Sequence, residues 1–588
     1  MEQTTAPVSG NKPPIINCHT HIFTGNHVPP FIGKTYLPWP LYYLLHLSLF
    51  VSFFRWWYKN PAAMHQKPWY KRLLIIRNTI QRFVAKTGFI KTFISVLLIL
   101  QTAFILFDWM AIIFPPGQSS ITSWLMKIKQ WLMDHYLLLP LHSNLLKASV
   151  VLFVMLFIPW GRKLIFTLFK KIWSFLGSMP GKQTKEMLKR YLNIGRYSFN
   201  GKQGYVLGKL ENQYPEGSGF VILPMDMEYM EAGKVKTAYR EQMEELARLK
   251  QKPDQTHILY PFVFADPRRM KDESDYFKYA VNNGKLSLDA CFVKTFIEEN
   301  KFSGFKIYPA LGYYAFDETL LPLWKYAADN GLPVLTHCIR GTIFYRGKKK
   351  DEWNYHPVFK QAMRGHYEKL LLPEMKNADF SVNFTHPMNY LCLLDEGLLR
   401  KLVHTRIEKN PASPLREVFG YTDENTPLLY NLNHLKLCFG HFGGDDEWAR
   451  YFEQDRYGHS NQFSENPYWG IDFFETKDGK PSPGKEEQLW KYTDWYSIIC
   501  SLMLQYPNVY ADISYILHNN EAILPLLKQT LQNHELKKKV LYGTDFYVVR
   551  NHKSDKNMLA DMMGGLTEEE FDQIARENPI SFLKNSLA

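Results

Sequence analysis

The sequence predicts a closed eight-stranded β/α barrel with a hydrophobic helical insertion between its first and second strands. Three observations carry this. Eight short apolar strands can be read along the chain, helical patterns separate most of them, and chemically useful side chains recur where the strands end. The strand candidates are Ile15–His21, Phe220–Met225, Ile258–Ala265, Gly304–Pro309, Pro333–Cys338, Leu435–His441, Val509–Ser514 and Val540–Phe546. Helical periodicity appears at Thr237–Lys250, Leu286–Asn300, Thr319–Asn330 and Asp494–Tyr506. Strand and helix alternating in this way call for a parallel sheet, and eight units close it into a barrel. The chain has 588 residues. A barrel needs about 250, so a substantial extra element is expected.

That element is the stretch from Leu37 to Trp173, where long apolar runs dominate. Phe93–Phe114 and Leu145–Phe169 approach the roughly 20 residues of a membrane-spanning helix. Much of the net charge of +13 lies in residues 55–91 and 162–196, which flank these runs, as on the cytoplasmic side of a membrane. If strand one and the later strands share a barrel, the number of crossings between them is even. The expectation is a hairpin of two spans, near 93–114 and 145–169, with residues 115–144 facing out and Leu37–Trp57 lying in the interface. The domains expected are 1–36 with strand one, 37–175 as the membrane-associated insertion, and 176–588 as the rest of the barrel. The buried helical cap of a soluble domain is the alternative. Membrane lipid and a small-molecule substrate are the partners expected. No nucleic-acid-binding motif is present, so the positive charge does not call for nucleic acid. Cys18, Cys291, Cys338, Cys392, Cys438 and Cys500 show no paired spacing and read as core residues of a reducing compartment. The first fourteen residues carry no apolar signal-peptide core, so the barrel is expected in the cytoplasm.

The strand ends carry the chemistry. Strand one ends in His19-Thr20-His21, and alternation sets both imidazoles on one side. Strand four carries Lys306, strand five ends in His337, strand six in His441 and strand eight in Asp545. Barrel enzymes work at this C-terminal face. Any one of these histidines alone is more simply a packed core residue. The set together suits a divalent metal, zinc, iron or manganese, bound by imidazole and carboxylate. Arg340, just past strand five, is a candidate to hold a substrate carboxylate or phosphate by a forked contact, or else a surface ion pair. Tyr308 and Tyr345 are candidate pocket walls. His386, in the long connection after strand five, is as well explained by loop packing as by the site.

This order of HxH, Lys, His, His and Asp resembles the amidohydrolase superfamily. The segments Asn17-Cys18-His19-Thr20-His21, Ala265-Asp266-Pro267-Arg268-Arg269 and Gly543-Thr544-Asp545 are similar to its amidohydrolase-related branch, which also contains metal-dependent decarboxylases of aromatic acids. The resemblance covers residues 15–30 and about 219–585 and leaves out the insertion. It implies that His19, His21 and Asp545 bind one metal, and that His337 and His441 bind a second where there is one. Lys306-Ile307-Tyr308-Pro309-Ala310 is similar to the strand-four segment of bacterial dihydroorotases, where a carboxylated lysine bridges two metals. The resemblance thus implies a hydrolase that uses a metal-activated water on an amide, ester or lactone-like bond, with zinc as the metal and Asp545, His441 and Lys306 as catalytic residues. A metal-dependent decarboxylase on the same scaffold is the alternative, and a non-enzymatic membrane-associated binding protein is a third reading.

Overall fold

The structure is a computed structural model. It describes residues 12–29, most of 88–157 and, with short breaks, 197–585, together with a few isolated residues between them. The chain divides into two compact units, residues 1–55 with 187–588 and residues 56–186.

The first unit is the barrel. Its strands are β1 (Ile16–Thr20), β2 (Gly219–Ile222), β3 (Leu259–Phe264), β4 (Gly304–Ile307), β5 (Val334–His337), β6 (Leu437–Gly440), β7 (Val509–Asp512) and β8 (Val540–Leu541). They lie side by side in chain order, and every neighbouring pair is parallel. β1 meets the segment after β8 to close the ring. Cys18 N–H donates to the Tyr542 carbonyl at 2.9 Å, Asp545 N–H to that of His19 at 2.9 Å, and His21 N–H to that of Phe546 at 2.5 Å. β8 is shorter than expected and ends before Asp545, because the chain there turns sharply, with φ of +63° at Asp545 itself.

Alternation along the strands stacks the barrel interior in layers. Cys18, Val221, Phe262, Leu335, Cys438 and Leu541 make a dry lower layer. One alternate position further on come Lys306, His337 and Asp512, all buried. The barrel floor is sealed by Phe582 and Leu583 of the C-terminal helix Asn578–Leu583. The segment Asp266-Pro267-Arg268-Arg269 is structural. Arg269 pairs with buried Asp226 at 2.6 Å, and Arg268 donates to the carbonyls of Tyr229 and Leu311.

The helix expected at Leu286–Asn300 begins only at Phe292. Its first residues, Lys285–Leu288, pair with Tyr279–Asn282 in an antiparallel hairpin. The Asn283-Gly284 turn, with both φ values positive, makes this hairpin and leaves no room for a helix start.

Among the described residues no helix is long and apolar enough to cross a membrane, so the two expected spans are not found. The second unit instead contains α1 (Gly88–Ile113), α2 (Ser120–Asp134) and α3 (Asn144–Phe157). α3, with 14 residues, is about 21 Å long, short of the ~30 Å hydrocarbon core. The polar residues inside α1 are taken up within the unit. Gln101 exchanges hydrogen bonds with the Leu139 backbone at 3.2 and 2.8 Å, and Asp108 pairs with Lys129 at 2.5 Å and Lys147 at 3.7 Å. Phe104, Leu132 and Leu138 form its small core. The interfacial segment expected at Leu37–Trp57 lies outside the described residues.

Candidate metal centre

Asp512, at the end of β7, organises the site from below. Its Oδ2 accepts from His19 Nδ1 at 2.9 Å. Its Oδ1 accepts from the backbone N–H of His441 at 3.1 Å, from that of Ser514 at 3.0 Å, and from the Ser514 hydroxyl in a very short contact. A carboxylate only accepts, so these contacts fix where protons sit. His19 carries its proton on Nδ1, and its Nε2 is left as a bare lone pair, buried and without a hydrogen-bond partner. Ser514 gives its proton to Asp512, so its Oγ accepts from His441 Nδ1 at 2.9 Å. His441 Nε2 then accepts from His337 Nδ1 at 3.1 Å. The end of that chain is His337 Nε2, again buried, without a partner, and by this count a lone pair. His21 is set independently: its Nδ1 donates to the Leu223 carbonyl at 2.8 Å and frees its Nε2.

Two of these freed nitrogens converge on Asp545. His21 Nε2 lies 3.1 Å and His19 Nε2 3.7 Å from Asp545 Oδ1. His19, His21 and Asp545 form one of two groups among the described residues able to hold a metal ion; His19, His441 and Asp512 form the other. In the second group the ligand atoms are already joined through Ser514 Oγ, which leaves no place for an ion. The first group fits a divalent metal, since its two imidazole nitrogens are oriented by outer hydrogen bonds and one is an orphan. Burial pushes the imidazoles of His19, His337 and His441 well below their ordinary pKa and keeps them neutral, the form that ligates. Burial, the largest influence on Asp545, raises its pKa.

Lys306 is fully buried on β4, and its Nζ has no hydrogen-bond partner. Burial lowers its pKa to about 8, against the pull of Asp512 and Asp545. Aromatic rings wall the histidines. Tyr308 stacks on His337 at 3.8 Å, Phe23 meets His21 edge-on at 5.5 Å, and Tyr515 meets His441 at 6.2 Å.

The backbone at the mouth is strained. His441, Phe442, Tyr515 and Asp545 all have positive φ, a conformation that non-glycine residues rarely adopt. All four follow the ends of β6, β7 and β8. The glycines here are required by close approach. A Cβ on Gly440 would stand 2.7 Å from the Thr336 carbonyl and 3.0 Å from the His19 ring, and one on Gly543 2.9 Å from His19 Cβ.

The structure therefore brings together His19, His21, Lys306, Tyr308, His337, His441 and Asp545. It does not bring in Arg340, which is 56 % exposed and faces Glu447 at 3.9 Å. Tyr345 packs on Trp353, apart from the metal ligands. His386 stacks on Trp490 at 3.9 Å, a packing role. Sequence reasoning missed Asp512 and Ser514, although Asp512-Ile513-Ser514 ends strand seven with the same alternation as His19-Thr20-His21. It also missed Tyr515, whose hydroxyl lies 3.1 Å from His552 Nε2.

His19 and His21 stand at the end of β1, His337 and His441 at the ends of β5 and β6, and Asp545 in the turn after β8. No known family model matches the chain, and no curated protein matches it. Among solved structures it is similar to a dihydroxybenzoic acid decarboxylase of Polaromonas sp. JS666, with bound manganese and the inhibitor 2-nitroresorcinol. The identity is 13%, over 69% of this chain and 90% of that one, with a TM-score of 0.33. It is also similar to the IDCase of Metarhizium anisopliae in its apo form, at 11% identity over 64% of this chain and 78% of that one, with a TM-score of 0.25. At these values neither likeness bears on the chemistry of this chain.

Proposed function

We propose that the chain is a metal-dependent carboxy-lyase of the amidohydrolase type, which removes the carboxyl group of a small planar aromatic acid. One observation carries this reading: of the two ligand groups, only that of His19, His21 and Asp545 has an open imidazole edge, which supports a single metal. His337 Nε2 is a further buried nitrogen without a hydrogen-bond partner. A divalent metal held by His19, His21 and Asp545 would supply a Lewis acid that anchors the substrate by its oxygen atoms and orients it.

The protein's own residues do the rest. Tyr308, Phe23 and Tyr515 pack against the site histidines, and these aromatic faces would suit a flat ring. Lys306, a buried cation without a hydrogen-bond partner, meets the carboxylate and offsets its charge. Exclusion of water strengthens that attraction. The Lys306 ammonium gives a proton to the ring carbon that bears the carboxylate, the carbon–carbon bond breaks with its electron pair returning to the ring, carbon dioxide leaves, and solvent returns the proton to Lys306. The second reading, hydrolysis of an amide or ester, is favoured by one feature. The Lys306 amine, with its pKa lowered to about 8, has the neutral form that takes up carbon dioxide as a carbamate and can bridge two metals.

The test is metal content per chain together with product. The full chain, loaded with manganese or zinc, is expected to hold one ion and to release carbon dioxide from members of a panel of hydroxylated aromatic acids. Two ions per chain, a carbamate carbon signal at Lys306 and turnover of amides or esters alone would overturn it in favour of hydrolysis.

A further inference from the structure

Large apolar side chains stand exposed along all three helices of the second unit, including Phe89 at 84 %, Met110 at 62 % and Leu145 at 78 %. Of the exposed large hydrophobic residues in the described chain, most lie between Ile75 and Leu146, although this is the smaller unit. Large apolar side chains exposed in this number on a small unit mark a surface that meets a partner or a membrane.

α2 shows what covers it. Its Leu125, Ile128 and Leu132 turn inward, with Leu132 in the small core. Trp124, Lys127 and Trp131 sit at i, i+3 and i+7, so they share one face, and all three are exposed. Trp124 is 61 % and Trp131 55 % exposed. Tryptophan beside lysine on one helical face is the composition of the bilayer interface, where the ring sits among headgroups and the ammonium reaches the phosphates.

Charge complementarity narrows the partner. Residues 55–91 contain nine lysines and arginines and no acidic residue. Residues 162–196 contain nine against one glutamate. Together these two stretches exceed the chain's whole net charge of +13, so the remainder of the protein is net negative. The positive charge therefore belongs to the sequence on either side of the three helices, as expected for attraction to anionic lipid.

We propose that the second unit docks on the surface of a bilayer rich in anionic phospholipid, with the Trp124–Lys127–Trp131 face of α2 in the headgroup layer and no helix crossing. This is independent of the reaction proposed for the barrel.

The test is co-sedimentation of the full chain with vesicles. Vesicles of phosphatidylglycerol mixed with phosphatidylcholine are expected to carry the protein down, and phosphatidylcholine alone to carry far less. Raising ionic strength from about 0.1 M to about 1 M, which shortens the screening length from ~10 Å to ~3 Å, should release most of it. The double variant Trp124→Ser/Trp131→Ser removes only exposed side chains. It is expected to keep its helix content by circular dichroism and to bind about tenfold or more weakly. Lys127→Glu should weaken binding to anionic vesicles alone. Failure to sediment with either vesicle overturns the proposal. So does equal binding to both, and so does a dimer in solution that shields Trp124 from a soluble quencher without lipid.

Discussion

Asp512 acts one step back from the ligand atoms, and its replacement separates orientation from ligation. Asp512→Asn puts an NH2 where His19 Nδ1 donates at 2.9 Å, so His19 must flip its tautomer or lose the contact. Metal affinity is expected to fall about 10- to 100-fold, as for other outer hydrogen-bond partners of metal ligands, while thermal stability of the metal-free protein changes little. Titration with a chelator of known affinity measures it. Asp545→Asn, by contrast, should lower turnover by about 10² or more with the fold intact, because the side chain meets His21 and His19 at the mouth and nothing below it. Of the residues involved, those that end a strand in a histidine or in Gly-Thr-Asp were legible, since ligand types at strand ends stand out against apolar strands. Asp512 and Ser514 were not. Aspartate and serine are common at strand ends for capping and turns, and their role appears only once β7 lies beside β6.

At the scale of the element, Gly440 before His441 and Gly543 just before Thr544-Asp545 set how closely the strands approach. Gly440→Ala would press a methyl group against the His19 ring and the Thr336 carbonyl, neither of which can retreat in a packed interior. A cost of about 1–3 kcal/mol in stability is expected, with a larger proportional loss of bound metal; chemical denaturation and elemental analysis measure the two. The eight strands were legible because each is a short apolar run bounded by turn residues. The hairpin Tyr279–Leu288 was not, although Asn283-Gly284 is a strong turn signal, because Leu286–Asn300 also carries helical spacing and the turn wins locally. The apolar runs of the insertion were read as spans on hydropathy, basic flanks and an even number of crossings. Sequence does not show that Gln101 finds its partner in the backbone of Leu139 after α2, or Asp108 in Lys129 of α2.

For the whole molecule, the metal and the closure of the barrel are coupled, since His19 and His21 come from β1 and Asp545 from the turn after β8. A ligand that binds only the closed form adds about 2.7 kcal/mol of stability at 100 times its dissociation constant. Removing metal with a chelator is therefore expected to lower the melting temperature by a few degrees, reversibly on adding it back, as read by calorimetry. An unchanged melting temperature would mean that the site does not hold the ring shut.

That coupling has a consequence in time. β1 pairs with β2 across an interval of about 200 residues, and its other neighbour arrives only near the end of the chain. A ribosome adds about 5–20 residues per second. His19 therefore leaves it roughly half a minute to two minutes before Asp545. Throughout that interval the first strand has an unpaired edge and a pair of imidazoles with no carboxylate opposite. A nascent chain stopped short of β8 would hold metal weakly, and tight capture of one ion marks a chain that has been synthesised to its end and has closed on its own beginning.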